Sequence, residues 1–278
     1  MTTISTVNLN GIRAAARRGL GEWLEREDPD VLLMQEVRAD EGTTRALLGD
    51  AWDVAVVPSR IKGRAGVAVA VRRDAGEVAD VRSGISTWRG QLDDAEVDSD
   101  SGRWLEADLD LDTPLTVVSA YFHSGEVGTP RQDAKMAHLP RIGTRMAQLL
   151  ADAEEPGGRQ ALVAGDFNVV RSRADIKNWT PNHNKRAGVL DEEIAYLQSW
   201  VGEGWHDVTR DLAGEVQGPY TWWSWRGKAF DNDAGWRIDY QYATPELVRR
   251  ATGFRIDRAG SYDARFSDHA PLSIDYDL

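Results

Sequence analysis

Ala161-Leu162-Val163-Ala164-Gly165-Asp166-Phe167-Asn168 opens on four apolar residues and closes on a glycine, a carboxylate, an aromatic ring and an amide. A short apolar run bounded by turn formers reads as a buried strand with polar groups at its end. The pattern recurs. Residues 3–7 run into Asn8 and Asn10, and residues 31–34 run into Gln35 and Glu36. Further strands are expected at residues 52–57, 66–71, 115–120, 238–242 and 272–276. Apolar spacing predicts helices at about residues 17–27, 132–153 (interrupted by Pro140) and 191–201. Strands and helices mix along the whole length, with no linker, low-complexity tract or strong repeat. That favours one layered α/β domain spanning residues 1–278. Two long connections, residues 83–102 and 171–189, lack clear periodicity, and long loops in such a domain are commonly functional.

Of 278 residues, 33 are Lys or Arg and 45 are Asp or Glu, a formal charge of −12. At 41% apolar and 28% charged, the composition is that of a soluble globular chain and excludes disordered, collagen-like and membrane-spanning classes. Cysteine is absent, which excludes disulfides, a thiolate nucleophile and Cys-ligated zinc or iron–sulfur clusters. The first twenty residues hold no apolar stretch long enough for a signal peptide or a spanning helix, so a cytoplasmic protein without a membrane partner is expected. The charge is uneven. Residues 93–112 carry nine acids against Arg103 alone, whereas residues 171–186 carry five bases and one acid, Asp175. Arg131, Lys135, Arg141 and Arg145 form another basic stretch. An acidic body with basic loops is compatible with a nucleic-acid partner, since only the contacting face has to be basic.

Ligands in α/β sheets gather at the loops beyond strand ends, which the scaffold holds rigidly. Asn8, Glu36, Asp166 and Asn168 stand at such ends. With Arg237-Ile238-Asp239 and Ser267-Asp268-His269-Ala270-Pro271 they form a set rich in acid–base and metal-ligating groups. One acid after a strand, or one His near a C-terminus, is more often structural, and Gly-Asp-Phe-Asn also reads as an Asx-type turn. Oxygen donors without cysteine suit Mg²⁺, with Mn²⁺ as a substitute.

The chain resembles exonuclease III and the abasic-site endonucleases of the endonuclease/exonuclease/phosphatase superfamily. The resemblance rests on Val7-Asn8-Leu9-Asn10-Gly11-Ile12-Arg13, Leu33-Met34-Gln35-Glu36-Val37-Arg38, Gly66-Val67-Ala68, Tyr121-Phe122, Gly165-Asp166-Phe167-Asn168, Trp236-Arg237-Ile238-Asp239-Tyr240 and Ser267-Asp268-His269-Ala270-Pro271. It implies a four-layer sandwich, an α/β (α+β) fold of two packed mixed β-sheets flanked by helices. It also implies Mg²⁺-dependent phosphodiester hydrolysis on duplex DNA carrying abasic sites or 3′-blocked ends, by a monomer.

Hydroxide attack on an anionic phosphodiester needs charge neutralisation, an oriented nucleophile and a stabilised leaving oxygen. Glu36 matches the family's metal ligand. Asp166 would orient or deprotonate the water, and Asn168 would hold that water or the phosphate. Asp239 would set the tautomer and charge of His269, which acts as base or, protonated, steadies the phosphate. Asp268 would be a second metal-side acid. Asn8 and Tyr121 match positions that contact the phosphate or metal waters, and Asp166, Asn168 and His269 join Asn8, Glu36 and Asp268 in the expected metal set.

DNA contacts are expected from the aromatic segment Tyr220-Thr221-Trp222-Trp223-Ser224-Trp225. The resemblance puts Trp222 and Trp236 on the walls of a pocket for an extrahelical abasic sugar, while Trp223 and Trp225 read equally as core residues. Arg226 adds basic interleaving to the aromatics. The loop ending in Lys185 and Arg186 reads equally as a grip on the DNA backbone or as a solvated surface. Arg38 stands where the family commonly has Lys, keeping the charge but changing its hydrogen-bond geometry. His123-Ser124-Gly125 stands where a Pro and an amide are usual, so Ser124 or His123 would substitute on the phosphate side. A phosphodiesterase acting on RNA or on a phospholipid or inositol phosphate, and a non-catalytic DNA- or glycan-binding module, are the competing readings.

Overall fold

Alternation decides the layering. In β1 (Thr2–Asn8) and β2 (Val31–Gln35), Ile4, Val31 and Leu33 point one way while Leu32 and Met34 point the other, and all are buried. A strand buried on both faces must be sandwiched. The computed structural model describes residues 1–85 and 101–278. In it β1 and β2 join β3 (Trp52–Val57), β4 (Val67–Arg72), β11 (Ala251–Ile256) and β12 (Leu272–Tyr276) in one sheet, ordered β11-β12-β1-β2-β4-β3. The second sheet holds β5 (Glu77–Ser83), β6 (Trp104–Asp110), β7 (Leu115–Tyr121), β8 (Gln160–Asp166), β9 (His206–Asp207) and β10 (Asp239–Ala243), ordered β5-β6-β7-β8-β10-β9. Each sheet has one parallel pair at its heart, β1 with β2 and β7 with β8, and antiparallel neighbours around it.

The inner faces meet through Ile4, Leu33, Val67 and Val69 on one side and Leu105, Leu115, Val117 and Leu162 on the other. The outer face of the first sheet is covered by α1 (Ile12–Ala16), α2 (Leu20–Glu27) and α3 (Glu41–Leu48) through Ile12, Leu20, Trp23 and Leu48. The outer face of the second is covered by α4 (Pro130–Glu154) and, beyond the short α5 (Trp179–Asn182), by α6 (Asp191–Gly202), through Leu139, Ile142, Met146, Leu197 and Trp200. The result is the expected four layers, helix–sheet–sheet–helix. No helix among the described residues is long and apolar enough to cross a membrane.

Three expectations need correction. Pro140 does not interrupt the long helix, which runs unbroken from Pro130 to Glu154. Pro140 is exposed, so the backbone hydrogen bond it removes is lost on the solvent side. The expected helix at residues 17–27 begins only at Leu20, after Gly19 with its φ of 108°, and a separate short helix, Ile12–Ala16, precedes it unforeseen. Finally, β5, β6 and β11 were not foreseen. In β6 the carboxylates of Glu106, Asp108 and Asp110 alternate with Leu105, Ala107 and Leu109, so acidity masked a period of two. Those acids are structural: Arg145 pairs with Glu106 at 2.7 Å, Arg82 with Asp108 at 2.8 Å and Arg159 with Asp110 at 3.0 Å. The rest of the acidic run, residues 93–100, lies outside the described residues.

A second buried ion cluster anchors the connection at residues 171–189. Arg237 Nε donates to Asp175 at 2.7 Å, and its two terminal nitrogens donate to Asp207 at 2.8 Å each. Arg210, on α7 (Val208–Ala213), donates to Asp175 at 2.6 Å. Removing one partner from such a cluster leaves an uncompensated charge away from water. Arg237→Met is expected to lower the unfolding free energy by about 3–5 kcal/mol, read by urea titration; a change below about 1 kcal/mol would show that the cluster adds nothing net.

Candidate active site

The two parallel pairs point their carboxyl ends the same way, and the polar residues of four strands converge there. β1 ends on Asn8, β2 on Gln35 with Glu36 next, β7 on Tyr121 and β8 on Asp166. Asp239, the first residue of β10, is the cross-strand partner of Asp166, so sheet register alone puts these carboxylates side by side. Gly165 makes that approach possible. A Cβ there would lie 2.0 Å from the Ala120 carbonyl oxygen, and its φ is 143°. Glu36, Arg38, Asn10 and Asn168 all adopt left-handed φ values of 46–52°. Such backbone is uncommon outside glycine and here turns each side chain off its strand end.

Asn8 sits between two carboxylates. Its amide nitrogen donates to Glu36 Oε1 at 3.0 Å and to Asp166 Oδ2 at 2.8 Å. Its oxygen accepts the Asn10 backbone N–H at 2.9 Å, which fixes the orientation of the amide. Asn8 is therefore a spacer here, its nitrogen toward the two acids. Asn168 donates its amide nitrogen to Asp166 Oδ2 and to the Phe122 carbonyl, each at 3.0 Å. His269 holds Asp239 through Nδ1 at 2.9 and 3.1 Å, and its Nε2 lies 3.8 Å from Asp166. Asp166, Asp239 and His269 thus present ligand-type atoms within 4.8 Å of one another, a cluster that could hold a metal ion.

Electrostatics separate the roles. Burial pushes the Asp166 carboxyl up to about 7, with the charges of Asp239 and Glu36 adding to the rise and that of His269 opposing it. Burial alone would lower His269, but Asp239, Asp166 and Asp268 outweigh it and lift the imidazole to about 10. His269 so charged is a buried cation, its Nδ1 toward Asp239 and its Nε2 toward Asp166. Tyr121 is held well above its usual value by burial and by Glu36 and Asp166, and its hydroxyl bonds Glu36. Arg38 pairs with Glu36. Asp268 accepts Trp222 Nε1 at 3.0 Å and Asn10 Nδ2 at 2.8 Å, so both its oxygens act as struts here.

These groups floor a cleft of about 740 Å³. Ser124, Lys185 and Arg186 line one side, and Trp222 and Trp236 the other. The two indoles are held by reciprocal backbone hydrogen bonds of 2.9 Å, with ring centroids 5.5 Å apart at 74°. Trp223 is buried against Tyr220 and Phe230, a core residue, and Trp225 is half-buried. Arg226 is exposed and is not among the residues lining the cleft, so the structure does not bring it to the site.

Sequence reading missed the supports. Thr221 Oγ1 accepts the backbone N–H groups of Ile238 and Asp239 at 3.2 and 3.1 Å. Lys135, read as part of a basic stretch, is buried. It pairs with Glu193 at 2.9 Å and donates to the Asn168 carbonyl at 3.0 Å. A signal existed, because Lys135 falls in the 3–4 spacing of Leu139, Ile142, Met146 and Leu149.

Asp239→Asn removes the first carboxylate holding the His269 charge. The imidazole titration, followed by NMR, is expected to move down from about 10 by at least ~1 unit. An unmoved titration would detach Asp239 from this role.

The comparisons agree with this geometry. The family profile described as the Endonuclease/Exonuclease/phosphatase family matches residues 5–269. The chain is 28% identical over 271 residues to an exodeoxyribonuclease of Bacillus subtilis, covering 96% of each. It is 26% identical over 275 residues to exodeoxyribonuclease III of Haemophilus influenzae, covering 97% of each. A solved AP endonuclease from Archaeoglobus fulgidus superposes with a TM-score of 0.83 at 25% identity over 100% of both chains. A profile that begins on β1 and ends on His269 takes in the second sheet, all strands of the first but β12, and the whole cleft floor, and the chain belongs to the endonuclease/exonuclease/phosphatase family.

Proposed function

We propose that the protein is a DNA-repair phosphodiesterase that incises at abasic sites, clears 3′-blocking groups and digests one strand 3′ to 5′. The observation that carries the reading is the pairing, on one cleft floor, of a carboxylate poised near 7 with an imidazolium charged to about 10. Asp166 takes the proton of the attacking water, with Asn168 aligning it. His269, its Nδ1 held by Asp239, faces the phosphate as a cation and steadies the developing charge. Arg38 and Tyr121 contact the phosphate oxygens at the cleft edge.

The donor chemistry fits a hard divalent cation: carboxylate oxygen without sulfur. Glu36 would hold Mg²⁺, or Mn²⁺ in its place, and the ion supplies charge neutralisation of the phosphate. The substrate class is supported by charge. Arg38 also borders a neighbouring cavity of about 390 Å³ with Arg13, Arg60, Lys62 and Arg64, so cations continue from the cleft along the surface of an acidic protein. The curated relatives named exodeoxyribonuclease support the same class. The perpendicular indoles of Trp222 and Trp236 suit a flipped abasic sugar. Lys185 and Arg186 grip the backbone beside it, with Ser124 on the phosphate side. The reading includes a monomer working in the cytoplasm; one chain supplies every cleft group named.

The decisive experiment is incision of a labelled duplex carrying one abasic-site analogue, beside an undamaged duplex, with Mg²⁺ and with EDTA. Cutting at the lesion is expected with Mg²⁺ and not with EDTA. No cutting of either duplex would move the substrate to RNA or a phospholipid head group. Asp166→Asn is expected to keep the fold and lower turnover by ~10²-fold or more; a near-normal rate would remove it from the reaction.

The pH profile follows from the two groups. Asp166 must be deprotonated, so the rate rises through about 7, and His269 must stay protonated, so it falls through about 10. A flat profile across this window would contradict both assignments. Trp222→Ala is expected to reduce abasic incision more than removal of a 3′-phosphate. Equal losses would assign Trp222 to packing.

A further inference from the structure

A second cavity, of about 590 Å³, lies behind the cleft, and the two share Asp268 and His269 in their walls. Its volume is that of a small-molecule site. Its apolar lining is aromatic: Trp23, Trp223, Phe230 and Phe266.

Among the described residues, four guanidiniums, of Arg18, Arg26, Arg258 and Arg265, and four carboxylates, of Glu22, Glu27, Asp257 and Asp268, line this cavity, but Arg265 lacks a direct ion-pair partner. Arg265 is buried, and among the described residues no carboxylate lies within ion-pair distance of it. Its guanidinium is packed among the rings of Trp225, Tyr262 and Phe230 at 4.0, 4.3 and 4.5 Å. Two of its nitrogens donate to the carbonyls of Tyr262 and Trp223, while Nη2 has no partner. A buried cation with an unmet donor is costly unless a counter-charge comes near. Arg258 lies over Phe230 at 4.1 Å, with Asp233 only at 3.8 Å, and Arg18 is exposed at the rim. Three of the four acids are turned to other donors, though only Glu27 is matched by a cation. Glu27 holds Arg26, Asp257 accepts Trp23 Nε1 at 3.0 Å, and Asp268 accepts Trp222 and Asn10. Exposed Glu22 is the exception.

We propose that this cavity binds one nucleotide unit, its base against the aromatic wall and its phosphate against Arg18 and Arg258, beside the unmet Nη2 donor of Arg265. Aromatic faces accept any base, and guanidinium groups match phosphate oxygens. The unit has two sources of one chemistry, a free nucleoside monophosphate or the terminal nucleotide of a strand. The choice of a nucleotide rests on the nuclease reading above, but the binding does not require turnover.

The test is calorimetric titration of the full chain in EDTA with 2′-deoxyadenosine 5′-monophosphate, deoxyadenosine, inorganic phosphate and a 5′-phosphorylated oligodeoxyadenylate. The monophosphate is expected to bind one to one, with Kd of order 10⁻⁴ M. Arg18→Ser and Arg258→Ser, both surface changes that leave the ring cluster in place, should each weaken it about tenfold, the loss of one phosphate contact. Lys185→Ser, which alters the cleft and not this cavity, should leave it unchanged. A tighter grip on the oligonucleotide than on the monophosphate would identify a strand end as the occupant, and the reverse a free nucleotide. Absent binding, binding insensitive to both arginines but lost in Lys185→Ser, or equal affinity for phosphate or for deoxyadenosine would each overturn the proposal. Failure of duplex incision with this binding intact would overturn the nuclease reading alone.

Discussion

The apolar contact between the two sheets is what the cleft depends on, because each sheet carries only half of its polar groups. Asn8, Glu36 and His269 belong to or border strands of the first sheet, and Tyr121, Asp166 and Asp239 to the second. The bonds that join them, Asn8 to Asp166 and His269 to Asp239, cross from one sheet to the other. They keep their lengths only while Ile4, Leu33 and Val69 stay pressed on Leu115, Val117 and Leu162. Interiors packed to crystal-like density resist sliding, which makes an apolar contact the ruler for a polar site.

The same contact sets the electrostatics. Excluding water from the floor raises Asp166 and strengthens the hold of the carboxylates on His269. Burying charge is unfavourable in itself, and apart from Arg265 the buried charges beside the cleft sit in paired clusters. Asp175, Asp207, Arg210 and Arg237 form one such set, and Lys135 with Glu193 another. Both tie loops that border the cleft to the sheet behind them. Charged residues that look like surface from composition are here the internal bracing of the site.

The sequence made the strand ends legible, and with them the layered fold, because a buried run closing on Gly-Asp-Phe-Asn or Gln-Glu states its own boundary. Glu36, Asp166, Asn168, Asp239 and His269 were all visible as residue types, and the structure brings them to one floor. What could not be read was direction. The orientation of the Asn8 amide depends on the backbone N–H of Asn10, and the charge of His269 depends on two carboxylates from another sheet. The edge strand β5 and its neighbour β6 were hidden for a different reason. With solvent or ion pairs on one face, β5 and β6 lack the apolar run that betrays a central strand. The burial of Lys135 and Arg145 was masked by their charge, although both lie among the apolar positions of one helix.

The route of the chain has a temporal consequence. The first sheet is begun by β1 and completed by β12, its partner in antiparallel register from Thr2–Tyr276 to Thr6–Leu272, while the whole second sheet is made in between. A polypeptide leaves the ribosome from its N-terminus, so β1 waits without its outer neighbour until the last strands arrive. His269, just before β12, comes with them. A chain not yet grown past His269 holds the carboxylates without the imidazole they charge, and it cannot assemble the cleft floor.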